Sequence, residues 1–236
     1  MKITFATYNI ASGIGDGTIF HKNYKSTADV IKELNADVIT LNEVGKRTPR
    51  NIPEHTQYLA DYCGYEYHTF AKAADFGRFP FGNAILSRYP IENTEITMLK
   101  RFVMIAPGIY EPRCILSAEI AAEKRFSVIC THLGLLPDEQ RLGITRACEL
   151  IKRSTLPIIM SGDFNLKSSS KLIIPLKKLV KDVCEIYSPE IKTFPAKNPQ
   201  KRLDYILVSD IISIEKVSVC NKTASDHLPL AAELII

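Results

Sequence analysis

A buried strand that ends in polar side chains is written in the stretch Pro157-Ile158-Ile159-Met160-Ser161-Gly162-Asp163-Phe164-Asn165. Its first four residues form an apolar run, which is typical of a strand covered on both faces. An ionised side chain directly after such a run is partly removed from water. This costs free energy unless a cation or hydrogen-bond donors compensate the charge. We therefore expect a strand over Pro157–Ser161, with Asp163 and Asn165 at a functional edge of its sheet.

Polar side chains flank other apolar runs in the same way. One such carboxylate is usually a turn or cap residue, but the repetition favours a shared site. The further members of the pattern are Glu43 after Val38–Leu41, Asp204 before Tyr205–Val208, and Asp226 and His227 before Leu228. Carboxylates with Asn and His, and without a cysteine cluster, form a hard oxygen-rich donor set that suits Mg²⁺ or Mn²⁺.

Strand and helix patterns alternate irregularly along the chain. Helices are predicted over Tyr24–Leu34, Glu54–Tyr62, Pro137–Arg153 and Lys171–Val183. Further strands are predicted over Lys2–Ile10, Asp37–Leu41, Tyr65–Phe70, Asn83–Ser87, Thr94–Leu99, Cys114–Ile120, Phe126–Thr131, Leu203–Ser209, Ile214–Cys220 and Leu228–Leu234. Without strict βαβ alternation, this order predicts a two-sheet α+β or α/β sandwich.

The composition is that of an ordinary globular chain. The 236 residues are 46% hydrophobic and 24% charged, which argues against a disordered or fibrous protein. A formal net charge of +4 tolerates an anionic substrate but lacks the strong basic bias of an architectural nucleic-acid binder. No linker-like stretch divides the sequence, so a single catalytic domain over residues 1–236 is predicted.

The location of the protein is predicted from its termini and cysteines. The N-terminal run Met1–Asn9 alternates apolar and polar residues and lacks the apolar core of a signal peptide. No apolar stretch reaches the ~20 residues of a membrane helix. The six cysteines are scattered without a C-x-x-C pair, which favours reduced thiols. We expect a cytoplasmic protein with no transmembrane segment and no obligate protein partner.

Eight motifs, in order from residue 7 to residue 229, carry a family resemblance. They are Thr7-Tyr8-Asn9-Ile10, Leu41-Asn42-Glu43-Val44, Gly82 to Pro90, Glu111-Pro112-Arg113, Thr131-His132-Leu133, Ser161-Gly162-Asp163-Phe164-Asn165, Arg202 to Ser209 and Ser225-Asp226-His227-Leu228-Pro229. In this set the sequence resembles the endonuclease/exonuclease/phosphatase superfamily of metal-dependent phosphoester hydrolases. The resemblance implies a four-layer α/β sandwich of two packed, mostly antiparallel sheets flanked by helices, with the site at one rim.

The resemblance also implies roles for individual residues. Glu43 corresponds to the principal Mg²⁺ ligand, and Asn9 and Asp226 lie close to the metal or its waters. Asp163 corresponds to the residue that orients or deprotonates the attacking water. The remaining positions are Asn165, which helps to place the water, His227, which contacts the scissile phosphate and pairs with Asp204, and His132 and Arg113, which contact the phosphate.

The substrate is less clearly indicated. Ala11 and Ser12 follow Asn9-Ile10, and His132 replaces a tyrosine, which separates the chain from the exonuclease III-type enzymes. It more closely resembles the sphingomyelinase-like and nocturnin-like branch. A Mg²⁺-dependent phosphodiesterase that acts on nucleic acid is the first hypothesis, and a hydrolase of phospholipid head groups or small phosphorylated metabolites is the second. A non-catalytic phosphate-binding protein is the third, although no motif position is lost.

Overall fold

Two sheets pack face to face in the computed structural model of the chain, which describes residues 1–13, 24–45, 55–76, 79–99 and 111–236. The first sheet contains β1 (Lys2–Asn9), β2 (Val38–Gly45), β3 (Tyr67–Phe76), β4 (Phe79–Ser87), β11 (Ser213–Val219) and β12 (Leu230–Ile235). The second contains β5 (Ile91–Leu99), β6 (Arg113–Ile120), β7 (Phe126–His132), β8 (Ile158–Asp163), β9 (Lys181–Asp182) and β10 (Asp204–Val208). The spatial orders are β11-β12-β1-β2-β4-β3 and β5-β6-β7-β8-β10-β9.

Most neighbouring strands run antiparallel. Among the strands of the described ranges, only β1 with β2 and β7 with β8 pair in parallel. Each sheet therefore has one parallel pair near its centre, whose two carboxyl ends meet at the same edge. The predicted fold class, a sandwich of mostly antiparallel sheets, is confirmed.

Helices cover the outer faces of the two sheets. The helices α1 (Tyr24–Leu34) and α2 (His55–Cys63) lie on the first sheet, where Ala28 and Leu59 pack against Leu41. The helix α3 (Pro137–Arg153) lies on the second sheet, where Ile144 packs with Ile129. None of the helices in the described part of the chain has the length and apolar composition that a membrane crossing needs.

The core between the sheets follows from the two-residue period of the strands. Ile3 and Phe5 of β1 point inward and pack with Leu116 of β6 and Ile206 of β10. Ala6 and Tyr8, on the opposite face of the same strand, point outward to α1 and α2. All four layers are thus held by apolar side chains, and polar residues gather at one rim of the inner space.

One predicted helix is wrong. Lys171–Val183 forms a 3-10 turn, the short helix α4 (Ile174–Lys177), strand β9, and the start of α5 (Val183–Tyr187). Pro175 has no N–H, so it fits only the first turn of α4. The side chain of Asp182 accepts a hydrogen bond from the N–H of Cys184 at 3.0 Å and so begins a new helix.

The other predicted elements are confirmed with shifts at their ends. Tyr24–Leu34 and Pro137–Arg153 coincide with α1 and α3, and the strand predicted over Asn83–Ser87 begins earlier, at Phe79. Glu54, the first predicted residue of the second helix, lies outside the described residues. The single-domain interpretation stays a prediction.

Gly162 provides a test of how closely the strands approach near the rim. Its φ is +135°, and a Cβ there would lie 1.8 Å from the carbonyl oxygen of Thr131 on the neighbouring strand. We expect Gly162→Ala to lower the free energy of unfolding by more than about 3 kcal/mol, because backbone strain and overlap add. Gly64 is the control, because its φ is +77° and a Cβ there would meet no atom within 4 Å. Gly64→Ala should therefore cost only about 1 kcal/mol. Equal losses of unfolding free energy in the two variants, measured by urea unfolding, would contradict the close approach of Gly162 to Thr131.

Candidate active site

Asp163, the last residue of β8, lies at the centre of the rim. Its Oδ2 accepts a hydrogen bond from Nδ2 of Asn9 at 3.0 Å. The same oxygen lies 3.5 Å from Nε2 of His132 and 3.6 Å from Nε2 of His227. Its Oδ1 accepts the backbone N–H of Asn165 at 2.8 Å. Residues from four distant parts of the sequence therefore converge on one buried carboxylate.

Strand pairing explains this convergence. Asn9 ends β1 beside β2, and His132 ends β7 opposite Asp163 in the parallel pair. Asp204 begins the antiparallel strand β10 and is also opposite Asp163. The ends of β1, β7 and β8 and the start of β10 thus meet at the same rim.

His227 is bonded to a carboxylate on its other side. Its Nδ1 donates to Oδ2 of Asp204 at 2.9 Å, and both side chains are buried. Burial alone would lower the pKa of His227, but the negative charges of Asp204 and Asp163 outweigh it and raise the pKa above its usual range. The imidazole is therefore held as a cation between two carboxylates.

The same cluster also raises the pKa of Asp163, which in a carboxyl group favours the neutral form. Burial raises the pKa of Asp163, the nearby charge of Asp204 raises it further, and His227 offsets part of the rise. A carboxylate with a raised pKa is a stronger base once it is ionised. The site thus holds a cationic imidazole next to an unusually basic carboxylate.

Glu43 reaches the rim through a bulge in β2. Asn42 and Glu43 together oppose the single residue Asn83, between the register pairs Leu41 with Ala84 and Val44 with Gly82. Glu43 has φ +57°, which turns its side chain out of the regular alternation. Its Oε1 lies 3.3 Å from Nδ2 of Asn9, which links it to Asp163.

Asn42 joins the two sheets directly below the site. Its Oδ1 accepts the backbone N–H of Asp163 at 2.8 Å, and its Nδ2 donates to the carbonyl of Thr131 at 3.0 Å and to Oδ1 of Asn83 at 2.8 Å. Nδ2 of Asn83 donates in turn to the carbonyl of Cys114 at 2.9 Å. Sequence analysis assigned no role to Asn83. The signal was an amide inside an apolar strand, which needs partners wherever it is buried.

His132 has an arginine as its partner. Nη1 of Arg113 lies 2.8 Å from Nδ1 of His132, and Nη2 of Arg113 lies 3.1 Å from the carboxylate of Glu111. Nδ2 of Asn165 lies 3.2 Å from Nε2 of His132 and donates to the carbonyl of Leu133 at 3.0 Å. Arg113 is buried, and its predicted contact with the phosphate stays a prediction. Glu111 belongs to one of the motifs that carry the family resemblance, but no role was assigned to it, because nothing in the sequence shows what Arg113 pairs with.

Asp226 lies outside the buried cluster. Its side chain is exposed, and its Oδ1 is 3.2 Å from Oγ of Ser225, which donates to the backbone carbonyl of Asn9 at 2.7 Å. Its negative charge still contributes to raising the pKa of Glu43. The same charge contributes to raising the pKa of His227, so Asp226 lies within electrostatic reach of both sides of the site.

The residues fit a hard divalent cation on the side of Glu43 and Asn9. Burial raises the pKa of Glu43, and the charge of Arg113 and the single hydrogen bond from Asn9 only partly offset the effect. Glu43 is also partly exposed, so an ion could reach its carboxylate. In the described ranges, one set of three groups has the mutual spacing of metal ligands, within 4.8 Å, namely Asp163, Asp204 and His227. The hydrogen bond and charge pairing of His227 already account for that closeness.

The sequence matches a known family over nearly its whole length. The family model described as Endonuclease/Exonuclease/phosphatase family matches residues 6–227. The Escherichia coli (strain K12) protein that is named "Uncharacterized protein YbhP" is 30% identical over 249 residues, which cover 97% of this chain and 94% of YbhP. The resemblance predicted from the motifs is confirmed at the level of the family, and the branch within it stays a prediction.

Solved structures show the same fold. An endonuclease/exonuclease/phosphatase from Beutenbergia cavernae aligns with a TM-score of 0.84 and 18% identity, over 99% of this chain and 71% of its own. A mannosyl-6-phosphatase from Bacteroides thetaiotaomicron aligns at 0.77 and 17%, over 99% and 100%. ANGEL2, a 2',3'-cyclic phosphatase, aligns at 0.76 and 17%, over 99% and 95%. At these identities the likeness concerns the fold.

The charge on His227 is predicted to depend on Asp204. We expect Asp204→Asn to lower the pKa of His227 by more than about one unit, because the amide accepts the same hydrogen bond without a negative charge. The titration of the His227 ring, followed by NMR in metal-free protein, measures the shift. Asp210→Asn, at an exposed turn, is the matched control. An unchanged titration in Asp204→Asn would refute the role given to Asp204.

Proposed function

Because the chain belongs to the endonuclease/exonuclease/phosphatase family and is therefore a phosphoester hydrolase, we propose that it cleaves phosphodiesters with Mg²⁺ or Mn²⁺ as its cofactor. One observation supports this most strongly. Three nitrogen atoms, from Asn9, His132 and His227, surround Oδ2 of the buried Asp163 at 3.0 to 3.6 Å. Such a carboxylate is preorganised to accept one proton beside a bound phosphate.

Asp163 is assigned the proton of the attacking water. Its raised pKa makes it a better base than an exposed aspartate. The hydrogen bonds from Asn9 to Oδ2 and from the Asn165 backbone to Oδ1 fix the plane of the carboxylate. The side chain of Asn165, next to His132, helps to place the water and the phosphate.

His227 supplies positive charge on the opposite side. As a cation held by Asp204, it stabilises the charge that gathers on the phosphate and can give a proton to the departing oxygen. Asp204 orients the ring, because its Oδ2 accepts the Nδ1 proton and so directs Nε2 toward the site.

The cofactor is assigned to the exposed side of the rim. Glu43 would be the principal ligand, with Asn9 and Asp226 next to the ion or its waters. When bound, a divalent cation supplies positive charge that neutralises the phosphate oxygens. A cation beside Glu43 would also favour its ionised form, which burial disfavours.

The charge at the site favours diesters over monoesters. His227 and Arg113 both pair already with carboxylates, at 2.9 Å and 3.1 Å. Little uncompensated positive charge is left in the described part of the site, which suits a singly charged diester better than a doubly charged monoester. Nucleic acid is the proposed class of partner.

A cytoplasmic location is part of the proposal, since all six cysteines are free thiols, which suits a reducing compartment.

A second candidate is hydrolysis of a phospholipid head group or another small phosphorylated metabolite. Leu135 favours it, because this apolar side chain is 64% exposed in the segment directly after His132. An exposed apolar group beside a phosphate site can contact the non-polar part of a substrate.

Activity of the wild type and of Asp163→Asn tests the proposed function. We expect Mg²⁺- or Mn²⁺-dependent turnover of a bis-aryl phosphate and of DNA or RNA, and a loss of about 10²- to 10⁴-fold in Asp163→Asn, because the base is removed. Asp210→Asn serves as a control at an exposed turn. Turnover of aryl monophosphates or sphingomyelin alone would favour the second candidate, and binding of phosphate esters without turnover would indicate a non-catalytic protein.

Measurements of metal affinity should distinguish the role of Glu43 from that of Asp163. Glu43→Gln should weaken Mn²⁺ binding at least about tenfold, since a direct ligand matters no less than its supporting residues. Asp163→Asn should weaken it less than Glu43→Gln. Titration followed by electron paramagnetic resonance of free Mn²⁺ measures both, with exposed Glu123→Gln as the control. Equal affinity in wild type and Glu43→Gln would remove Glu43 from the metal site.

A further inference from the structure

The contact between Arg113 and His132 determines which nitrogen atom of the His132 ring can carry a proton. Nη1 of Arg113 lies 2.8 Å from Nδ1 of His132 in a buried contact. A guanidinium group only donates hydrogen bonds. Nδ1 of His132 must therefore present a lone pair and carry no proton.

A single protonation state of the ring follows. A cationic imidazole carries protons on both nitrogen atoms, so the contact with Arg113 excludes it. A neutral ring with no proton on Nδ1 has its proton on Nε2. Nε2 points into the site, 3.5 Å from Oδ2 of Asp163. Nδ2 of Asn165 lies closer, 3.2 Å from Nε2, but an amide nitrogen cannot accept a hydrogen bond and donates instead to the carbonyl of Leu133, so the acceptor available to the Nε2–H is the carboxylate oxygen of Asp163.

We propose that Arg113 is a positioning residue that holds His132 as the neutral Nε2–H tautomer, so that His132 donates a hydrogen bond into the site and carries no positive charge. The use of this donor in catalysis rests on the proposed function. The tautomer itself rests on the geometry of the buried contact.

The two histidines of the site thus differ because their partners differ. Nδ1 of His227 faces Asp204, which only accepts, and the ring can hold two protons. Nδ1 of His132 faces Arg113, which only donates, and the ring holds one. His132 cannot take a proton from water at Nε2, because that nitrogen is already protonated. The assignment leaves Asp163 as the base.

Arg113 is itself held in place. Glu111 binds its Nη2 at 3.1 Å, and the ring of Phe81 lies 5.8 Å from the guanidinium carbon. A rotation of the His132 ring by 180° would put a carbon atom against Nη1 and lose the bond. Among the described residues, the charged side chains in contact with His132 include Arg113 from β6 and Asp163 from β8.

NMR of the wild-type protein tests the proposal directly. In metal-free protein with ¹⁵N-labelled histidine at pH 7, two-bond ¹H–¹⁵N correlations distinguish the two neutral tautomers and the cation. We expect His132 to carry a proton on Nε2 only, and His227 to carry protons on both nitrogen atoms. A His132 signal of the cation or of the Nδ1–H tautomer would overturn the proposal. His132→Gln assigns the signal.

A matched pair of variants tests the role of Arg113. Arg113→Met removes the donor and should release the His132 ring into a mixture of tautomers, with kcat lowered at least about tenfold. Arg125→Met removes an exposed arginine of the same hairpin, paired with Glu92 and Glu119, and should leave the spectrum of His132 unchanged. An unchanged His132 spectrum in folded Arg113→Met would overturn the role of Arg113. If this variant does not fold, the wild-type spectrum still decides the tautomer.

The spectrum is independent of turnover. A protein without hydrolase activity that shows the Nε2–H tautomer would refute the proposed function and leave the assignment of His132 standing. An active enzyme with a cationic His132 would do the reverse.

Discussion

The side-chain amide of Asn42 is the connection on which the geometry of the rim depends. It belongs to the first sheet, yet its three hydrogen bonds reach Asp163 and Thr131 on the second sheet and Asn83 on its own. An apolar side chain there would leave buried backbone groups without partners, at a cost of about 1–3 kcal/mol each. Gly162 leaves the room for this approach, because a Cβ there would lie 3.1 Å from Oδ1 of Asn42. Since Glu43 follows Asn42 directly, one amide sets the separation of Glu43 from Asp163.

Charge at the rim is arranged by burial and by the choice of partners. Asp163 and Asp204 are both buried around one cationic imidazole, an arrangement that strains the ionised form of Asp163 and stabilises that of His227. Buried charges of this kind rarely stabilise a fold. Their concentration at one edge of an otherwise apolar sandwich therefore indicates a functional site.

The sequence predicted the strand-end residues because hydrophobic runs mark buried strands and polar residues mark where they stop. It could not predict the bulge that turns Glu43 toward Asn9, since a bulge depends on the register of β2 against β4. It assigned no role to Asn83, because the partners Asn42 and Cys114 lie on other strands. It assigned none to Glu111, because the position of the Arg113 side chain depends on its contact with His132 of another strand. The segment Lys171–Val183 has the apolar spacing of a helix, but Pro175 and the capping bond of Asp182 break it into short pieces.

Under the proposed function, the phosphate chemistry and the choice of substrate depend on different parts of the chain. The groups around Asp163 end or begin strands and are fixed by pairing in the two sheets. They therefore have little freedom to adapt to the organic group of a particular substrate. The segments next to those strands carry further side chains close to the two histidines. Leu135 is exposed three residues after His132, and Phe194 packs its ring 4.8 Å from that of His227 while it stays partly exposed. A substrate whose phosphate lies beside Asp163 must place its organic part near such side chains. Changes there should alter which ester is bound, whereas changes at Asp163 or His227 should alter whether any ester is cleaved.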